Sequence, residues 1–234
     1  MIVIEQKVID VSQYSKERKV FFIRINPQNL SLTIQEILTE LRDMSWLSKF
    51  NFEPLKNAYE LRAQRTCDYL EKIIYDNSNM SKLKETTGEY VVSNLSKKSL
   101  VDNLNHTDIP LMELLGRKKS NNPGFDFYTE IDYQIVAGEA KYKTNENAYN
   151  SSLKQINEFI QEQKHIQDIP LLMPFTNTES IVNMNNNKFC VCAAFSTTNK
   201  STNDLISNIL NNKHFKDCLK QCDIFLVAVN MYDE

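Results

Sequence analysis

Glycine is rare in this chain: 234 residues hold only Gly88, Gly116, Gly124 and Gly138. That scarcity excludes a Gly-x-x-x-x-Gly-Lys phosphate loop and a Gly-rich dinucleotide fingerprint, and there is no Gly-x-Ser-x-Gly nucleophile elbow. Histidine is rarer still. His106, His165 and His214 have no metal-ligand spacing. Cys67, Cys190, Cys192, Cys218 and Cys222 make an odd count, unlike a disulfide scaffold. Cys190 and Cys192 would share a strand face, and Cys218 and Cys222 lie at helical spacing. A zinc site from these four competes with the commoner fate of free cysteine, burial in a core. No apolar run approaches the roughly 20 residues of a membrane span. Met1-Ile-Val-Ile-Glu-Gln-Lys has no basic segment leading into an apolar one. A soluble, cytoplasmic protein without a membrane partner is expected. Positive charge is not in excess either, since 27 Lys and Arg face 30 Asp and Glu, a net charge of -3. Any phosphate-binding surface must be local or supplied by a partner.

What the chain does contain is ordinary globular material. Hydrophobic residues make up 41% and charged residues 24%, enough for one large domain or a domain with an appendage. Ile2-Val-Ile4 and Val20–Ile25 have the β-branched and aromatic density of strands. Spacing predicts helices over 33–50, with Ile34, Ile37, Leu38 and Leu41 inward, and over 55–75, with Leu61, Tyr69, Leu70 and Ile73 inward. A third helix follows Thr86-Thr-Gly-Glu89. Strands are predicted over 125–131, 134–142, 188–196 and 223–231, with helices over 146–163 and 203–215. Asn183 and Asn185-Asn-Asn187 mark a loop. This β-β-α-β-α-β order predicts an α/β domain with a mixed sheet over residues 81–234. Residues 1–80 form an α+β segment that either docks a partner or buttresses the sheet.

The four glycines all lie between residues 88 and 138, which marks that stretch as geometrically demanding. It holds Gly124-Phe-Asp126 and Ile135-Val-Ala-Gly-Glu139-Ala-Lys141. If two strands form a hairpin turning at Asp132-Tyr133, Asp126 falls opposite Glu139, and directly opposed side chains share a face. Lys141, two residues on, points the same way. Two ionised carboxylates this close repel unless a cation lies between them. Mg²⁺ prefers such oxygen ligands; it can activate water and offset charge on a phosphate, and a lysine can neutralise phosphoryl oxygens. Glu-x-Lys alone means little, because Glu5-Gln-Lys7, Glu17-Arg-Lys19 and Glu162-Gln-Lys164 also occur. The apolar strand before Glu139, the upstream Asp126 and the amphipathic helix that follows set Glu139-Ala-Lys141 apart from a solvated hairpin with surface charges. Arg117-Lys-Lys119, with Lys97-Lys98 upstream, is either a phosphate contact or a solvated loop.

Pro123-Gly-Phe-Asp126, Gly138-Glu-Ala-Lys141 and the helix carrying Gln155 resemble the PD-(D/E)XK nuclease superfamily over about residues 86–165. Gly124 and Phe125 between the proline and the aspartate depart from the short motif. The resemblance implies a restriction-endonuclease-like core with a central mixed β-sheet flanked by helices. It implies Mg²⁺, or Mn²⁺ in its place, bound by Asp126 and Glu139, a catalytic Lys141, an accessory acid at Glu89 and an accessory glutamine at Gln155. Glu113 is a rival for the accessory acid. Within the superfamily the layout is most similar to the nuclease subunit of the Hachiman anti-phage defence system, which works with a helicase. The expectation is a DNA endonuclease subunit in such a complex. The alternatives are a non-catalytic DNA-binding or assembly subunit, and a stand-alone restriction endonuclease.

Overall fold

A computed structural model describes residues 1–77, 85–116, 124–144, 146–198 and 201–231. Over these, the chain runs β1 (Ile2–Ile9), β2 (Val20–Asn26), α1 (Leu30–Leu41), α2 (Glu53–Asn77), α3 (Glu85–Leu104), β3 (Thr107–Asp108), α4 (Met112–Leu115), β4 (Phe127–Ile131) and β5 (Gln134–Lys141). It continues through α5 (Tyr149–Gln161), α6 (Lys164–Leu172), α7 (Thr178–Asn185), β6 (Cys190–Thr197), α8 (Thr202–Asn211), α9 (Lys213–Leu219) and β7 (Asp223–Asn230). The described strands form one sheet in the order β1-β2-β7-β6-β5-β4-β3. Strands β2, β7, β6 and β5 are parallel. At the two ends, β1 on β2 and β5-β4-β3 pair antiparallel. The result is an α/β fold with a mixed sheet flanked by helices.

Strand alternation divides the sheet's side chains between two cores. Phe22, Ala137, Ala193 and Leu226 join the core under α5–α9. Ile23, Val136, Cys192 and Val227 join the core under α1, α2 and α3. The first 80 residues thus supply two strands of this sheet, through the parallel pairing of β2 with β7, and two helices of one core. None of the described helices is long and apolar enough to cross a membrane.

Several expected boundaries shift, two of them where a side chain competes for backbone groups. The helix over 33–50 ends at Leu41, and a 3-10 turn over Ser45–Lys49 follows, with the Asp43 carboxylate accepting from the Ser45 N–H at 2.8 Å. The helix over 203–215 is two helices. Asn212 breaks it with an extended backbone and caps α9 by accepting from the His214 and Phe215 N–H groups. The segment between β5 and β6 holds three helices, and Asn183 and Asn185 lie inside α7 rather than in a loop; the turn falls at Asn187, with φ of 57°. The expected buried face of α2 is also corrected: Leu61 and Tyr69 are exposed, and Tyr59, Ala63, Cys67, Leu70 and Ile74 are buried. The small Ala63 and Cys67, where helices approach, carry the true stripe.

All five cysteines are buried and free. Cys190 and Cys192 belong to one core and Cys218 and Cys222 to the other, so the four do not converge as zinc ligands. Burial pushes the thiols of Cys190, Cys192, Cys218 and Cys222 well above their ordinary pKa.

Candidate active site

The β4–β5 hairpin turns on Asp132 and Tyr133, both left-handed, with φ of 46° and 59°. Two consecutive positive φ values are what the commonest two-residue hairpin turn needs. The register runs from Ile131↔Gln134 to Phe127↔Gly138, as a turn at these residues predicts. The ladder stops one pair short of Asp126. There the Asp126 N–H donates to the Gly138 carbonyl at 2.9 Å, and the Asp126 carboxylate accepts from the Ala140 N–H at 2.8 Å. Asp126 is therefore held beside Glu139 by hydrogen bonds on either side of it rather than by a strand pair. Gly138 allows this closure: a Cβ there would sit 2.2 Å from the Phe127 ring, so only hydrogen fits beneath the phenyl.

Glu139 is only 1% exposed. Its carbonyl accepts from the Ser152 hydroxyl of α5 at 2.8 Å. Lys141 Nζ lies 2.9 Å from Glu139 Oε1 and 3.1 Å from Glu89 Oε1. Each contact is worth on the order of 5 kcal/mol at a dielectric of about 20, before desolvation is charged against it. Burial pulls the Lys141 pKa down, but the carboxylates of Glu139, Glu89 and Asp126 and the Glu139 hydrogen bond outweigh it and hold the group above its ordinary value. The ammonium stays charged at neutral pH. The other three Glu-x-Lys pairs differ in setting. Glu5 and Lys7 are each 35% exposed, the Glu162 side chain is 57% exposed, and Glu17 and Lys19 both face solvent.

Glu89 reaches the site from α3, on the opposite face of the sheet, because Gly88 precedes it. A Cβ on Gly88 would come within 2.2 Å of the Tyr142 ring, so glycine lets α3 close onto the end of β5. Glu113 goes elsewhere. It is buried on α4, where its charge, after burial, helps raise the pKa of Tyr90, and it is not among the carboxylates acting on Lys141. Half-buried Gln155 lies between two residues that touch the hairpin: Ser152, on Glu139, and Phe159, whose ring packs edge-on against Phe125 with centroids 5.2 Å apart. Spacings of three and four put all three on one helix stripe.

Two contacts lay outside the expected set. Ser152 lies three residues after Tyr149 and four before Ile156, beside the predicted buried face of helix 146–163, and is fully buried; that spacing was its signal. Tyr128, two residues after Asp126, donates from its buried hydroxyl to Asp168 Oδ2 on α6 at 2.7 Å. Burial raises the pKa of Asp168. Nothing local in the sequence links residues so far apart.

Pro123 and the run Arg117–Lys119 lie outside the described residues. Lys97 is engaged by Asp108 at 2.6 Å and the Ile109 carbonyl at 3.0 Å, and Lys98 by Glu40, so both have acidic partners within the fold. Among the described residues no three His, Cys, Asp or Glu side chains are gathered as a metal would gather them; the Lys141 ammonium lies between Glu89 and Glu139 instead. Compared with family models, with curated proteins and with solved structures, the chain matches none.

Proposed function

We propose that this chain is a metal-dependent deoxyribonuclease of the PD-(D/E)XK type with a restriction-endonuclease-like fold. In this reading Asp126 and Glu139 bind Mg²⁺ or Mn²⁺, Lys141 is catalytic, and Glu89 and Gln155 are accessory. The observation that carries it is the buried Glu139, held beside Asp126 and against Lys141 at the end of a central strand. A carboxylate is costly to bury, and this one is kept where it and Glu89 both contact one ammonium, on which Asp126 also acts. Perturbed, partly desolvated charge clusters of this kind are where chemistry concentrates.

The donor set suits the ion. Mg²⁺ needs only one or two protein carboxylates, because it keeps several waters and takes substrate phosphate oxygens. The oxygens of Glu89 and Glu139 already converge on one cationic atom. A bound ion would activate water and offset charge on the scissile phosphate. Lys141 keeps its proton and presents fixed positive charge to a phosphoryl oxygen. Ser152 and the Ala140 N–H hold the two acids in place.

The net charge of -3 and the acid-paired Lys97 and Lys98 support a cutting subunit whose grip on DNA comes from a partner. A helicase in a Hachiman-like anti-phage complex fits that role. Calorimetric titration of Mn²⁺ into the purified chain should give a saturable site that Asp126→Asn/Glu139→Gln removes. A wild type that binds no metal would favour a non-catalytic assembly subunit.

A further inference from the structure

We infer that β1 is a self-association edge, on which a second copy of this chain pairs antiparallel to extend the sheet. The inference does not rest on the nuclease reading. Strand β1 is outermost in the sheet, and among the described residues it pairs only with β2. An eight-residue outer strand is usually blunted or covered, because its free backbone groups template further pairing. Exposed residues along it include the apolar Ile2, Ile4 and Val8 as well as Gln6. The bulge that irregularises β1 lies between Val3 and Glu5, and the ladder is regular from Glu5↔Arg24 to Ile9↔Val20.

The sequence of this regular stretch selects a partner. Two copies related by a two-fold axis perpendicular to the sheet must place one residue on the axis, because directly opposed residues share a face. An axis at Glu5 sets Glu5 against itself, and one at Lys7 sets Lys7 against itself, both destabilising. Axes at Val8 or Ile9 oppose no charges at all. An axis at Gln6 sets Glu5 against Lys7 of the second copy and Lys7 against Glu5 of the second copy. It also lets the two Gln6 amides meet. Glu5 and Lys7 already lie within 2.6 Å of each other on one face, so the second copy extends an existing pair into a square of alternating charge. A single-strand seam is smaller than a standard interface. The dimer is weak and reversible.

The register is tested with the full chain carrying Gln6→Cys. Under mild oxidation it should give a disulfide-linked dimer on a non-reducing gel. Val8→Cys should not, because a Gln6 axis separates the two Val8 positions by about 13 Å along the strands, beyond the roughly 7 Å limit for a disulfide. The native cysteines, all buried, serve as the internal control. Sedimentation over a concentration series up to about 1 mM should show a dimer fraction that rises with concentration and that Lys7→Glu abolishes. A wild type that stays monomeric, a dimer indifferent to Lys7→Glu, or equal cross-linking at positions 6 and 8 overturns the inference. The monomeric outcome would leave the edge to a strand from a different protein.

Discussion

Glu139 and Lys141 depend on each other. A carboxylate 1% exposed is tolerable because an ammonium lies 2.9 Å away, so removing only the ammonium is the costlier change. Lys141→Ala should destabilise the metal-free protein by about 3–5 kcal/mol, since it leaves a buried charge behind. Glu139→Ala/Lys141→Ala should cost less than Lys141→Ala alone, and urea unfolding in EDTA measures both. Additive costs would mean that the two do not act as a pair. His106 gives a pH dependence. Burial holds its pKa down at about 4, against the opposing pull of Asp132, whereas the unfolded chain titrates near 6.5. Between those values the unfolded state binds more protons, so stability is intact above about pH 6.5 and is lost as pH falls toward about 4, by up to about 3 kcal/mol. Melting curves of wild type against His106→Gln across that range should converge on acidification. Parallel curves would refute the assignment. At this scale the sequence was readable for Glu139, because an apolar strand precedes it. Tyr128 and Asp168 were not, because their contact crosses from strand to helix and leaves no local pattern.

The hairpin was legible as an element, because Asp132-Tyr133 separates two strand-like runs and a two-residue turn fixes register. The choice among four Glu-x-Lys pairs rested on that hairpin spacing, on the apolar strand before Glu139 and on the helix after it. The helices were less legible. On α2 the bulk of Leu61 and Tyr69 suggested the wrong stripe, while the buried one passes through Ala63 and Cys67. The breaks at Asp43 and Asn212 came from side-chain hydrogen bonds to backbone, which hydrophobic periodicity does not register. The hairpin's closure rests on Gly138. Gly138→Ala should destabilise by about 1–3 kcal/mol, as overpacked cores do, and Phe127→Leu should recover part of the loss by clearing the space above it. No recovery would show that the ring is not the obstacle. Tyr133→Gly should stabilise by about 1 kcal/mol, the usual cost of a left-handed conformation in a residue with a Cβ. An unchanged or lowered unfolding midpoint would argue against that strain.

For the molecule as a whole, pattern alone predicted a mixed sheet between helices. Where the first 80 residues would sit was beyond it, because the parallel pairing of β2 with β7 joins strands from the two ends of the chain and carries no sequence signature. That pairing makes β1 the sheet's outer edge, while the site lies toward the other end at β4 and β5. The acidic balance also belongs to this scale: a chain at -3 offers DNA little long-range attraction, so under the proposed function cleavage by the isolated protein should be slow and only weakly dependent on added salt, because few phosphate contacts give a shallow salt slope. The direct test of the central claim incubates purified wild type and Glu139→Ala/Lys141→Ala with single- and double-stranded DNA, in Mg²⁺ or Mn²⁺ and in EDTA. The account predicts cleavage by the wild type that EDTA abolishes, and none by the double variant, whose circular dichroism spectrum is unchanged. Equal cleavage by the two proteins, or cleavage that persists in EDTA, would contradict it.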